Sequence, residues 1–290
     1  MIEVLVFALG ALTVAFAFFD FLRTTISLDG LGFISHRIAR ALWKTGGRLV
    51  IAAERRGRPS LRGLLGPGIL TAIAGTWIAL HLLGYTLMYL AGASLVSAQS
   101  GDPANLVQTV AFTGSALSTL GASTAKVTNG WWDVLSMVAA VNGMVVLTLA
   151  VSFILDILQT TTTMRSFAAR YHALVRKDRS DPDSTLRHIA PLGPDLCGVA
   201  VKLTASPLPG VFVPDDPALN FADTVKAICR LLDNRNPAAH DADPHIAQLH
   251  QGLILLGRRM KDCEDRDDLA AARAWADGHT LPDRPAKRRA

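Results

Sequence analysis

The stretch PANLVQTVAFTGSALSTLGASTA, residues 103–125, contains no Asp, Glu, Lys or Arg. Its length suits a membrane segment, because a helix that crosses a bilayer needs about 20 mainly apolar residues. The stretch is nevertheless rich in hydroxyl side chains, and Gly114 and Gly121 weaken a continuous helix. Its helical part, from about Asn105 to Ser118, would be only about 21 Å long. We therefore expect this segment to enter a membrane without crossing it.

Three further apolar runs flank this stretch and are long enough to cross a bilayer, namely Val4–Leu22, Pro67–Val96 and Trp132–Leu158. Residues 1–164 contain 17 charged residues and residues 165–290 contain 36. This uneven distribution excludes a single soluble globule. It indicates a membrane-embedded part followed by a polar C-terminal extension.

Basic residues predict the orientation of the spans, since Lys and Arg accumulate in short cytoplasmic connections. The connection between the first two spans carries nine of them, whereas residues 97–133 carry only Lys126. A second basic cluster follows the third span. The N-terminus is therefore expected outside and the C-terminus in the cytoplasm, so that residues 103–125 must enter and leave on the outer side. The basic excess is explained by topology, and no nucleic-acid partner is expected.

The connection between the first two spans has apolar residues at helical spacing and basic residues on its other faces. The apolar set is Phe33, Ile34, Ile38, Ala41, Leu42, Leu49 and Ala53, and the basic set is Arg37, Arg40, Lys44 and Arg48. This pattern predicts an amphipathic helix on the cytoplasmic leaflet, with anionic membrane lipid as its partner. Plain anchoring and a lipid-responsive lever are both compatible with it.

Irregular backbone at membrane depth is tolerated only where protein surrounds it or where it lines a watery cavity. The segment 118–124 is predicted to be such backbone, and carbonyl oxygens in an irregular strand can replace the hydration shell of a cation. With its flanking helices, it resembles the pore module of the potassium-channel superfamily over Pro67–Leu158. Thr119, Leu120 and Gly121 match the first three filter positions of that family.

The resemblance implies a bacterial-type cation channel of the inner membrane, assembled as a homotetramer because one loop cannot enclose an ion. The permeant ion would be K⁺ or another monovalent cation, with no other cofactor and no enzymatic activity. Its coordinating filter would comprise Thr119, Leu120, Gly121, Ala122 and Ser123. Gly143 lies 22 positions after Gly121, where the family often has a hinge glycine. Close packing between helices is the other interpretation of Gly143.

Three positions depart from the family pattern. Ala122 replaces the usual aromatic residue, Ser123 replaces a glycine, and Thr124 replaces the usual Asp. These departures favour weak ion selectivity. They also support an alternative function, a non-conducting membrane signalling or scaffold protein with a degenerate pore loop.

Three polar residues within the apolar runs have two interpretations each. Asp156 is either an ordinary helix end at the membrane interface or part of a charged ring at an inner pore mouth. His81 is predicted to be a buried hydrogen-bonding residue, with proton sensing as the alternative. Asn142 is predicted to form a hydrogen bond between helices, with pore lining as the alternative.

The C-terminal extension is predicted to be a small α-helical domain with irregular stretches. Pro191–Pro217 is rich in Pro and Gly, whereas Phe221–Asp233 and His245–Met260 have helical spacing. His240, His245 and His250, with Asp241 and Asp243, are of residue types that suggest a metal site. A spacing of five does not align side chains on a helix, however, and we expect these residues to lie in a solvated turn.

The predicted fold is thus an all-α membrane protein with three transmembrane helices, a re-entrant pore helix and filter loop, and a small cytoplasmic α-helical domain. Its parts would be the first transmembrane helix at residues 1–22, a basic amphipathic linker at 23–66, the pore module at 67–158, and the cytoplasmic domain with its basic tail at 159–290.

Overall fold

The computed structural model describes residues 1–26, 30–56, 61–121, 123–175, 182–233, 243–258 and 268–281. Its first part comprises α1 (Ile2–Thr25), α2 (Phe33–Arg55), α3 (Arg62–Ala91), β1 (Leu95–Ser97), α4 (Leu106–Leu117), β2 (Ala125–Val127) and α5 (Gly130–Val175). The remainder comprises α6 (Pro182–Ile189), α7 (Gly193–Ala205), α8 (Phe221–Asp233), α9 (Pro244–Gly257) and α10 (Asp268–Gly278).

Helices α1, α3 and α5 are each long and apolar enough to cross a membrane, which confirms the three apolar spans predicted from the sequence. The bounds of α3 differ from the predicted Pro67–Val96. This helix starts five residues earlier, at Arg62, and accommodates Pro67 in its interior. It ends at Ala91 because the chain then turns into the short strand β1.

The sequence predicted that the third span ends at Leu158. Helix α5 instead continues to Val175. Beyond Leu158 its buried residues Met164, Phe167 and Tyr171 recur at helical spacing. The hydroxyl groups of Thr161 and Thr162 donate to carbonyl oxygens one turn earlier, so they are satisfied within the helix. The end of the charge-free run marked a change of environment and not a helix end.

Residue contacts divide the chain into two compact units. One unit contains α1, the beginning of α2 up to Ile38, and residues 70–154. The other contains Ala39–Ile69 and the chain from Leu155 onward. The predicted linker at 23–66 and pore module at 67–158 therefore do not coincide with these units, because most of α2 packs with C-terminal residues.

Helices α1 and α3 cross at two glycines. A Cβ atom at Gly10 would lie 2.5 Å from the carbonyl oxygen of Gly84, and one at Gly84 would lie 2.8 Å from the carbonyl oxygen of Gly10. Small residues allow such close approach of two helix backbones in a membrane. Nearby, the rings of Phe21 and Trp77 make an edge-to-face contact with centroids 5.0 Å apart.

The buried carboxylate of Asp20 joins α1 to α2 and α3. One of its oxygens accepts a hydrogen bond from the Ile34 amide at 2.7 Å. The other accepts from the Ser35 hydroxyl at 2.7 Å, the Ser35 amide at 3.3 Å and the Trp77 indole at 3.2 Å. Because the two amides belong to the first turn of α2, the carboxylate also meets the positive end of that helix dipole. Asp20 is only 2% exposed.

Strands β1 and β2 form a short antiparallel ladder in which Val96 faces Lys126. The ladder brings the chain back to the level at which it left α3, with α4 lying between the two strands in sequence. Helix α4 begins with a capping box in which Asn105 and Gln108 satisfy each other's backbone amides. Its bounds match the predicted short helix to within one residue at each end.

Helix α2 forms as predicted, but one of its sides packs against other parts of the protein. The Trp43 indole donates to the carbonyl oxygen of Gly278 at 3.1 Å. Val50 packs with Val213 and Leu281. Another side leaves apolar surface uncovered, with Leu49 70% exposed.

The C-terminal helices share a core with the final turns of α5. Helices α8 and α9 confirm two predicted helices, although residues 259 and 260 lie outside the described part of the chain. The expectation that Pro191–Pro217 is irregular was wrong, because α7 occupies 193–205. Pro194 stands in the first turn, where its missing amide costs no hydrogen bond, and Leu196, Val199 and Leu203 are buried at helical spacing.

Replacing Asp20 with Asn tests the junction of α1, α2 and α3. The amide nitrogen of Asn would face groups that are themselves donors, so we expect a loss of about 2–3 kcal/mol in unfolding free energy. The midpoint of thermal unfolding of the purified protein measures it. Asp102→Asn, at an exposed position, is the matched control, and equal midpoints for the two variants would contradict this role of Asp20.

Candidate functional site

The candidate site begins where α4 ends, in a tight helix cap. The Thr119 amide donates to the Ala116 carbonyl at 3.1 Å, and the Leu120 amide donates to the Ser115 carbonyl at 3.0 Å. This pair of bonds is a Schellman motif, which normally places glycine at the position of Thr119. Thr119 accordingly has φ of +56°, in the left-handed region that β-branched residues rarely adopt.

The residues after the cap are exposed in the single chain. Thr119, Leu120 and Gly121 are all exposed, Leu120 by 72%. Gly121 has φ of +71°, a conformation that glycine adopts without strain. The Thr119 hydroxyl donates to the carbonyl oxygen of Ser118 at 2.7 Å. These predicted filter residues therefore form a turn at the helix end.

Ala122 lies outside the described residues. Ser123 is half-buried, and its hydroxyl oxygen accepts a hydrogen bond from the Ala125 amide at 3.2 Å. Ser123 thus ties the end of the candidate segment to the first residue of β2.

Gly143 lies directly against the end of α4. A Cβ atom at this position would be 2.0 Å from the carbonyl oxygen of Leu117 and 2.9 Å from its Cα. No side chain fits there without moving α4, so the contact supports the packing interpretation of Gly143. Helix α5 is continuous through this point, and the hinge role of Gly143 stays a prediction.

Two contacts place the end of α4 part way along its neighbouring helices. Gly143 is about 20 Å along α5 from its start at Gly130. On the other side, a Cβ atom at Gly114 would lie 3.8 Å from Leu82, which is about 14 Å from the end of α3 at Ala91. Helix α4 therefore runs beside α3 and α5 and ends at a level less than one third of the way along α5 and about one third of the way back along α3.

Electrostatics at this point are dominated by the backbone. Residues 103–125 contain no charged side chain, and the C-terminal end of α4 carries the partial negative charge of its helix dipole. The carbonyl groups of the last turn point the same way. A partial negative charge of this kind attracts cations more than anions.

Polar residues predicted to bond inside the membrane part do so. The Asn142 amide donates to the Tyr85 hydroxyl at 3.1 Å, which confirms a hydrogen bond between α5 and α3. His81 is buried, and its ring nitrogen Nδ1 is 2.7 Å from the carbonyl oxygen of Trp77. Asp156 is exposed on α5, thirteen residues further along than Gly143, and its role at an inner mouth stays a prediction.

Asp20 is the residue that sequence reasoning missed. A single acid within an otherwise apolar run was its available signal, since a charged residue in a membrane segment is usually paired or functional. Among the residues that the structure describes, no group of three or more His, Cys, Asp or Glu could hold a metal ion. His240 and Asp241, two of the candidate metal ligands from the sequence, lie outside those residues.

The chain is similar to the uncharacterized membrane protein YdjJ of Bacillus subtilis (strain 168), with 29% identity over 161 residues. The alignment covers 55% of this chain and 46% of the relative, so the chain matches about half of that protein's length. No protein-family model and no solved structure matches the chain. The relative and the three apolar helices together support a membrane location.

Substituting Gly143 with Ala separates packing from hinge bending. Because the added methyl group would overlap the Leu117 carbonyl, we expect Gly143→Ala to lower the unfolding free energy by about 1–3 kcal/mol. Gly75→Ala is the matched control, since a Cβ atom at Gly75 meets nothing within 4 Å and alanine favours a helix by about 1 kcal/mol. If thermal unfolding shows both variants stabilised equally, the packing role of Gly143 is refuted.

Proposed function

We propose that this protein is a cation channel and that the segment after α4 lines its ion pathway. The observation that carries this proposal is the position of exposed, irregular backbone at the end of α4, well inside the ends of two helices that are long enough to cross a membrane. A hydrocarbon core is about 30 Å thick. The distances of about 20 Å along α5 and 14 Å along α3 correspond to about two thirds and about half of that thickness.

Exposed backbone at such a depth cannot face lipid, because unpaired amide and carbonyl groups there cost several kcal/mol each. Either further protein must surround the segment, or water and ions must reach it. The ladder between β1 and β2 supports a segment that enters and leaves on one side. The outer side is the one proposed from the distribution of basic residues, with the N-terminus outside and the C-terminus in the cytoplasm of an inner-membrane protein.

A second exposed surface supports assembly of several copies. Apolar residues of α5 recur every three or four positions along one face, and each is at least half exposed in the single chain: Val134, Met137, Val141, Met144, Leu147, Val151 and Leu155. This continuous face begins near the level of the β ladder and passes the site. We propose that four copies pack around an axis lined by these helices, with the turn after α4 facing the axis.

The proposed chemistry uses backbone oxygens and no charged side chain. Carbonyl groups of Thr119, Leu120, Gly121 and Ala122 would replace part of the hydration shell of a monovalent cation. The negative ends of four α4 helices would add a favourable potential at the same place. The potassium-channel superfamily usually has an aromatic residue and a glycine where this chain has Ala122 and Ser123. We therefore propose weak selectivity between K⁺ and Na⁺.

The turn itself favours the second candidate function, a scaffold whose loop no longer conducts. In the single chain the Leu120 amide and the Thr119 hydroxyl are both bonded within the helix cap. These bonds hold Thr119 in a helix cap and not in the extended strand of an ion filter. A protein in which the cap persists in the assembled state would fold and assemble without conducting.

Helix α2 provides the proposed lipid contact. Its exposed apolar residue Leu49 lies beside a row of basic residues that includes Lys44 and Arg48, which are also exposed. An apolar strip next to a basic row suits the interface of an anionic membrane, where each Lys or Arg contributes about 1 kcal/mol.

Gly121→Asp tests conduction in reconstituted vesicles. Asp tolerates a left-handed backbone better than most residues, so the variant should fold, while a ring of carboxylates would obstruct the pathway and hold a cation too tightly to release it. We expect K⁺ flux to fall at least tenfold. Ser100→Asp adds the same charge at an exposed loop position and should leave the flux unchanged.

Comparing K⁺ with Na⁺ in the same vesicles measures the proposed weak selectivity. A folded tetramer without cation flux under any condition would refute the channel and support the scaffold. A monomer by light scattering would refute both the axis and the role of the α5 face.

Charge removal on α2 tests the lipid contact. Lys44→Gln combined with Arg48→Gln removes two positive charges, each worth about 1 kcal/mol at an anionic surface. We expect retention of phosphatidylglycerol, measured by native mass spectrometry, to weaken about tenfold or more relative to phosphatidylcholine. Arg187→Gln combined with Lys202→Gln, at exposed positions of α6 and α7, is the matched control. Equal retention by the two double variants would contradict the proposed contact.

A further inference from the structure

The exposed face of α5 continues past the apolar residues described above. Successive residues of an α-helix turn by about 100°, so Val141, Thr148 and Ser166 lie within about 20° of one another around this helix. All three are exposed in the single chain. Helix α5 is continuous from Gly130 to Val175. The face proposed above as the contact between copies therefore extends beyond the apolar span.

The extension of this face is uncharged until it reaches Arg170. Between Leu158 and Arg170 the exposed residues of α5 are Gln159, Thr162 and Ser166. Residues 165–290 contain 36 charged residues, so an exposed face without charge is unusual in this part of the chain. A face of this kind is better suited to contact with protein than to contact with water alone.

The hydroxyl groups on this side of α5 can be buried at low cost. The Thr162 hydroxyl donates to the Leu158 carbonyl oxygen at 2.9 Å, and the Thr163 hydroxyl donates to the Gln159 carbonyl oxygen at 3.0 Å. A donor that is satisfied within its own helix loses no hydrogen bond when a second helix covers it. Small side chains also let two helices approach closely.

A groove of about 410 Å³ lies beside this face, between α5 and α7. Its lining includes Thr162, Ser166 and Arg170 of α5 and Asp195 of α7. Side chains of a second polypeptide can enter this groove while its helix packs on the face of α5.

The groove contains one positive and one negative side chain. Arg170 Nη1 donates to Asp195 Oδ2 at 2.8 Å, and the two side chains are 62% and 47% exposed. A guanidinium has five N–H donors and a carboxylate has about four acceptor positions, so each group can bind a second partner besides the first. In a closed ring of identical copies, every copy presents both groups. Such a surface is complementary to itself.

We propose that this groove receives α5 of a neighbouring copy, with Arg170 of one copy paired to Asp195 of the next. Continuity with the exposed face of α5 and the self-complementary charges favour a second copy of this chain over a different protein. The contact rests on the assembly of copies in the proposed function, but it does not depend on conduction.

Charge reversal in two separate chains tests the pairing between copies. Arg170→Glu puts like charges side by side within one chain, and Asp195→Arg does the same within another. When both full-length chains are expressed together with different affinity tags, opposite charges can meet only between different chains. Exposed ion pairs are individually weak, but a tetramer has four junctions. Native mass spectrometry should therefore show the ratio of mixed tetramers to single-chain tetramers about fivefold or more above that of two tagged wild-type chains.

An ion pair outside the groove provides the matched control. Lys226 and Asp277 are also 2.8 Å apart, and neither residue lines the groove. Lys226→Glu and Asp277→Lys in separate chains should mix in the same ratio as wild-type chains. The same result for Arg170→Glu and Asp195→Arg would overturn the proposed pairing.

Cross-linking keeps the test valid if the charge variants do not assemble. Cys197 and Cys263 are replaced by Ser, whereas Cys229 is buried and stays. In this background, Ser166→Cys should give covalent oligomers with a short bismaleimide reagent. Val201→Cys is the matched control, because Val201 is 57% exposed on α7 and does not line the groove. Equal cross-linking of the two variants, or none at Ser166→Cys, would overturn the contact.

Flux measurements separate this contact from the channel proposal. If mixed tetramers are enriched and Ser166→Cys cross-links but no cation flux exists, the contact stands and the channel fails. If flux exists while the charge variants mix as wild-type chains do and Ser166→Cys does not cross-link, the channel stands and the contact fails. A monomeric wild-type protein would overturn the contact together with the proposed assembly.

Discussion

Backbone amides and carbonyls cannot face hydrocarbon without partners, and the proposed entry of residues 103–125 into the membrane depends on that constraint. Helix α4 satisfies its own interior, the box at Asn105 closes its start, and the cap at Thr119 closes its end. The ladder between β1 and β2 pairs the chain on either side. Little unpaired backbone therefore remains, and it is concentrated in the turn on which the proposed ion pathway is built.

The sequence alone predicted those elements whose environment is set by lipid. Long apolar runs identify α1, α3 and α5 because charged side chains are costly in hydrocarbon, and the shortness of residues 105–118 identifies α4. Elements that depend on tertiary contacts were harder to predict. The Pro and Gly content of α7 suggests irregular structure, whereas the helix is stabilised by burial of residues such as Leu203 in the C-terminal core. The length of α5 likewise depends on this core, in which Phe167 is buried.

The candidate site was predictable in position and less so in conformation. A stretch rich in hydroxyl groups and ending in Gly121 indicates irregular backbone, and the structure has a turn there. That Thr119 takes the left-handed position of a helix cap could not be inferred, because glycine is the usual residue at that position and Gly121 is only two residues away. The contact between Gly143 and Leu117 likewise requires knowledge of which helices touch.

Asp20 also bears on how the protein is made. Its partners are groups of Ile34 and Ser35, 14 and 15 residues later, and the Trp77 indole, 57 residues later, so Asp20 gains its last hydrogen-bond donor only when α3 has been synthesised. Until then, the incompletely paired carboxylate of Asp20 is costly in the bilayer interior. We therefore expect stable insertion of α1 to depend on the presence of α3.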